Sequence, residues 1–129
     1  MELKKPSFTE RWIFPLESEP ETGVLIKKLS DAETNRIFDR NQYMPGSKGM
    51  TMAKTQKVLE DVVRASVRDW KGFQQDGVDI PCNDETKTLL LDATVEDGSV
   101  DENGKPIRPT LWSLVNKKFG ELEEADRKN

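Results

Sequence analysis

The chain has 129 residues, a net charge of −4 and no histidine. That length suits a single domain of about 100–150 residues, and the acidic balance argues against a dedicated nucleic-acid binder, which needs a basic stripe to displace counterions. Apolar and charged residues each make up 34% of the chain, against roughly 45–50% (glycine included) and ~25% in typical globular domains, so a small core is expected. No apolar run approaches the ~20 residues that span a bilayer. The start, MELKKPSF, carries no signal-peptide apolar segment, and the lone Cys82 cannot form an internal disulfide. Cytoplasmic residence is therefore expected, with one domain over 1–129 and flexible ends at 1–10 and 123–129.

In chain order, the run Arg11-Trp12-Ile13-Phe14 reads as a strand that Pro15 confines to an edge. Val24 to Leu29 reads as a second strand, and the two would form an N-terminal β-hairpin. Ser30-Asp31-Ala32-Glu33 has capping-box spacing, which predicts a short helix through about Arg40. Pro45, Gly46 and Gly49 predict a flexible loop. Val58, Leu59, Val62, Val63, Val67 and Trp70 recur at helical spacing, so a helix is expected from near Thr51 past Trp70, closed by Gly72 in a left-handed cap. Ile80-Pro81 predicts an extended pair, and Asn83 a cap for a helix bearing Leu89, Leu90 and Leu91. Residues 94–109 read as a long acidic loop in which Val95 and Ile107 could flank a small hairpin. A last helix follows from Thr110, burying Leu111, Trp112, Leu114, Val115, Phe119 and Leu122, with a solvated tail. The expected fold class is α+β, mainly α: the hairpin followed by about four helices in a small single-core bundle.

Chemistry is sparse in this pattern. The absence of histidine removes Ser-His-Asp, Cys-His and every histidine-containing metal site. Cys82 precedes a predicted helix start but has no histidine base, and reads as a packing residue. Aligning Gly104 with the glycine of a calcium loop puts Ser99, Asp101 and Asn103 at early ligand positions, yet Pro106 and Thr110 fall where an aliphatic residue and a glutamate belong. PGSKGMT lacks phosphate-loop spacing. The pairs Glu60/Asp61, Asp84/Glu85 and Glu123/Glu124 suit solvated or capping roles. What remains is aromatic surface: Trp12 and Phe14 on the hairpin, and Trp112 and Phe119 on the last helix, as candidate contacts for a partner protein. Trp70, Phe73 and Trp112 are also natural core anchors.

Val63, Val67, Asp69, Trp70, Gly72 and Phe73, followed by Gly77, Ile80-Pro81, Asn83, Glu85 and the leucine run, resemble a pattern of tailed-phage and prophage tail assembly chaperones. Ile26-Lys27-Lys28-Leu29-Ser30-Asp31-Ala32-Glu33 is similar to the front of the same proteins. The resemblance covers about residues 24–122. It departs at Asn83, where Ser or Thr is more usual, and at the long loop 94–109. It implies a non-enzymatic factor, without cofactor or metal, that binds the tape-measure protein and recruits tail-tube subunits. Self-association, a structural role in the tail, and a host-interaction or regulatory role stay open beside it. So does a different class, an enzyme or metal-binding regulator using Cys82 and the acidic loop.

Overall fold

The computed structural model describes residues 10–44, 46, 51–96 and 98–128. Strand β1 (Glu10–Ile13) pairs antiparallel with β2 (Gly23–Lys27). Helix α1 (Asp31–Arg40) and helix α2 (Met52–Ser66) follow, and α2 runs without a connector into β3 (Val67–Lys71), which pairs antiparallel with β2. The sheet order is β1-β2-β3. A two-residue hairpin, β4 (Gln74–Gln75) and β5 (Val78–Asp79), leads to a one-turn helix α3 (Leu89–Asp92) and the long α4 (Leu111–Lys128).

The helical bundle expected from the sequence is therefore incorrect. The fold is a mixed α+β arrangement built on a three-stranded sheet, and the largest departure lies at Val67–Lys71. Val67 and Trp70 sit three apart, a spacing that fits a helix face, but here the chain solves it with a bulged strand. Ile26 pairs with Val67, Leu25 with Asp69 and Val24 with Trp70. Arg68 is thus an extra residue opposite β2, and one extra residue in a strand returns positions i and i+3 to the same face. Val67 is fully buried and Trp70 nearly so, while Arg68 points out and pairs with Glu10 at 3.4 Å. The β-branched Val67 favours extended backbone and closes α2 with φ −80° and ψ 119°.

Gly72 has the expected left-handed conformation (φ +85°), but it ends a strand and not a helix. A Cβ there would lie 2.7 Å from Thr22 Oγ1 and 2.8 Å from Thr22 Cα, so backbone sign and close approach both require glycine.

The helix expected after Asn83 is also mostly absent. Asn83 Oδ1 does accept the amides of Glu85 and Thr86, both at 3.0 Å, as a cap would. The chain then makes i→i+3 bonds, Leu89 N to Thr86 O, Leu90 N to Lys87 O and Leu91 N to Thr88 O, and only Leu89–Asp92 becomes α-helix. The Thr86 and Thr88 hydroxyls bond to local carbonyls, the competition that makes such residues poor in helix interiors.

Helix α1 has the predicted capping box: Glu33 N donates to Ser30 Oγ at 3.1 Å and Ser30 N to Glu33 Oε1 at 3.2 Å. Lys27 Nζ adds an ion pair to Glu33 at 2.8 Å. Loop 94–109 is drawn into an irregular hairpin by the bridges Thr94–Thr110 and Val100–Pro106. The tail, expected to be solvated, is helical to Lys128, with Glu124, Ala125, Arg127 and Lys128 exposed. Lys28 pairs with Glu123 at 2.7 Å and Arg11 with Asp126 at 3.6 Å, tying its last turns to the sheet. The predicted flexible segment 1–10 lies outside the described residues apart from Glu10, as does the glycine-rich loop at 45 and 47–50. No helix is long and apolar enough to cross a membrane among the described residues.

The core lies on one side of the sheet, where Ile13, Val24, Ile26, Val67 and Trp70 meet Val63 of α2, Leu90 of α3 and Leu111, Trp112 and Val115 of α4. Two outcomes are expected. Gly72→Ala should destabilise the fold by about 2 kcal/mol or more in denaturant unfolding, since the strained backbone alone costs of order 1–3 kcal/mol. Glu33 is held at about 2 from an ordinary 4.5, first by the Lys27 hydrogen bond and then by the Ser30 amide. A depressed carboxyl stabilises the fold fully above its unfolded value and loses that contribution as pH falls towards about 2. Glu33→Gln should accordingly be less stable at neutral pH and converge with the parent in acid, as read from stability against pH.

Candidate functional site

The alternation along β1 sends Ile13 into the core and Trp12 to the opposite face of the sheet. Trp12 lies opposite Leu25, and Phe14, just past β1, returns to the same outer face. Its ring rests on Gly23, where a Cβ would sit 2.7 Å from Phe14 Cε1. Lys71, one strand further across, holds its ammonium 4.7 Å from the Trp12 ring centre and 5.1 Å from that of Phe14. Such cation–aromatic contacts are worth about 0.5–1 kcal/mol at exposed sites. Trp12, Phe14 and Leu25 are half-buried and belong neither to the core cluster nor to the residues packed against it. This is an aromatic sheet face with a cation at its edge.

The other aromatic candidates sit elsewhere. Trp112 is only 6% exposed and is part of the core. Phe119 is half-buried and packs against that core from α4. The structure therefore brings Trp12 and Phe14 together and separates both from Trp112 and Phe119. Lys71 and Leu25 complete the face and were not singled out from the sequence. The signal for Leu25 was its place in the alternation of β2, whereas Lys71 was hidden by reading its segment as helix.

A second apolar feature is a groove of about 450 Å³ between the β4–β5 hairpin and α3. Its walls are rigidly tied. Trp70 Nε1 donates to Ile80 O at 2.7 Å, Ile80 N donates to Phe73 O at 2.9 Å, and the Trp70 and Phe73 rings meet edge-on at 5.1 Å. The W-x-G and I-P segments that stood out in the sequence are thus one wall of a groove. Leu90, Ala93 and Leu111 form the other side.

The remaining chemical candidates are structurally engaged. Burial pushes the Cys82 thiol up, with Asp69 and Asp84 adding to the shift against Lys87, so it is a protonated packing group at neutral pH. Asp101 Oδ1 accepts the amides of Asn103 and Lys105, at 2.8 and 2.9 Å. Asp61 resists the upward push of burial because the Asn41 amide and then Arg40 hold its carboxyl below the ordinary value. No group of three or more metal-ligating side chains is arranged to hold an ion among the described residues.

Comparison with protein-family models, with curated proteins and with solved structures finds no match to this chain.

Trp70→Phe keeps the aromatic wall but leaves the Ile80 carbonyl without its indole donor. It should cost about 1–2 kcal/mol, and the Ile80 amide should exchange with solvent faster than in the parent.

Proposed function

We propose that this chain is a non-catalytic protein-binding factor, of the kind represented by phage and prophage tail assembly chaperones, working in the bacterial cytoplasm. It would hold tape-measure and tail-tube proteins through the outer sheet face of Trp12 and Phe14. The observation that carries the reading is that these two aromatics, with Leu25, stand apart from the hydrophobic core on a sheet face. A folded chain with a small core has little reason to keep a tryptophan and a phenylalanine there unless another molecule covers them, and tryptophan is enriched at binding hot spots. The resemblance of Val63–Phe73 and Ile80–Glu85 to tail assembly chaperones supports the choice of partner class.

The test is co-expression with tape-measure and tail-tube proteins followed by capture. Trp12→Ala should weaken capture by about 30-fold, a hot-spot loss of about 2 kcal/mol. Lys71→Glu, at an exposed position, should weaken it while lowering stability by no more than about 1 kcal/mol, the worth of its cation–aromatic contacts. Undiminished capture by both variants would overturn the assignment of this face. Recovery of the protein in purified particles would favour a structural tail subunit over a chaperone.

A further inference from the structure

We propose that helix α4 is built in two parts, and that its last turns, residues 121–128, form an ionically latched strap that salt releases from the sheet while the core stays folded. The strap lies on the core side of the sheet, away from Trp12 and Phe14, and does not depend on the binding role given to them. Burial divides the helix. Leu111, Trp112 and Val115, all in its first half, are buried, and Phe119 packs against the core. Beyond Gly120 no residue is buried: Leu122, Glu123 and Asp126 are half-buried and the others exposed. Leu122 is the one residue of that stretch packed against the core cluster.

Gly120 marks the joint. A side chain added there would meet nothing within 4 Å, and its φ is not positive, so neither packing nor backbone sign calls for glycine. Within a helix glycine is weaker than alanine, because it loses more freedom on ordering. Residues 121–128 are also too few to persist as a helix in water by themselves. They are held by what they touch, and those contacts are mainly ionic.

Lys28, just past β2, pairs with Glu123 at 2.7 Å, and Arg11 pairs with Asp126 at 3.6 Å. Arg11 is two residues from Ile13 and so shares its face of β1. The strap thus supplies the carboxylate for an arginine on the side of the sheet that carries the core. All four side chains keep 23–42% of their surface exposed. Ion pairs of that kind weaken as the screening length falls from about 10 Å at 0.1 M salt to about 3 Å at 1 M. The buried contacts of Leu111, Trp112 and Val115 do not depend on screening, so the two parts of the helix respond differently. Release exposes Leu122 and separates the Arg11 and Lys28 cations from their carboxylates.

Amide hydrogen exchange of the full chain, read residue by residue, tests this. In about 0.1 M sodium chloride, the amides of 122–128 should exchange as one group and faster than those of 115–119. Raising the salt to about 1 M should speed the first group about five-fold and leave the second unchanged. Gly120→Ala should slow the first group by about two- to five-fold. Lys28→Gln combined with Asp126→Asn should exchange there at low salt as fast as the parent does at high salt. A gradual loss of protection towards Lys128, with no step after Gly120, is ordinary fraying and would overturn the proposal. So would exchange of 122–128 that ignores salt or Gly120→Ala, or a salt response shared equally by 115–119.

Discussion

The extra residue in β3 is the constraint on which the rest of the fold depends. Ser66 ends α2 and Val67 begins the strand with no intervening loop, so the direction of α2 dictates where β3 enters the sheet. Were Arg68 paired in a regular strand and not bulged, burying Val67 against Ile26 would turn Trp70 towards solvent, because side chains alternate along a regular strand. With it, both reach the core, and the strand ends at Gly72 hard against Thr22. Trp70 then serves two neighbours at once. Its ring closes the core beneath the sheet, and its indole nitrogen fastens Ile80 and with it the β4–β5 hairpin.

That placement sorts the apolar residues into two populations with different consequences. On the inner face, aliphatic side chains of the sheet meet α2, α3 and α4, and each buried side chain contributes of order 1.5–3 kcal/mol. On the outer face, Trp12, Phe14 and Leu25 add little to that core, and the Lys71 ammonium above the rings keeps the cluster polar at its edge. Burial thus stabilises the fold from one side of a three-stranded sheet and leaves half-buried aromatic side chains on the other. The groove beside Trp70 borders the same core, and core residues supply its walls.

Local signals in the sequence were read well where they act locally. Ser30 and Glu33 form the predicted capping box, and the apolar runs starting at Arg11 and Val24, read as a hairpin, do pair antiparallel as β1 and β2. Thr110 precedes α4 and its hydroxyl accepts the Ser113 amide. The misreadings arose where tertiary pairing overrode a local pattern. Val67 and Trp70 match a helix by spacing, and only the register against β2 shows the bulge. Asn83 is a sound cap, yet the threonines after it hold the chain in successive turns. Trp112 and Trp12 are equally apolar in a list of residues; their separation into core and surface depends on which face of the sheet α4 covers. The groove was illegible because Leu111 joins Trp70 only through tertiary packing.

The central claim is that residues 67–71 form a bulged strand and not the end of a helix, and nuclear Overhauser contacts measure this directly. The account predicts extended-type carbon shifts across Val67–Lys71, a cross-strand contact between Leu25 and Asp69, and no helical contact from Val67 to Trp70. Helical shifts through Trp70, with contacts between residues i and i+3 across that stretch and none to Leu25, would contradict it. Such a result would remove the sheet on which the proposed binding face of Trp12 and Phe14 is built.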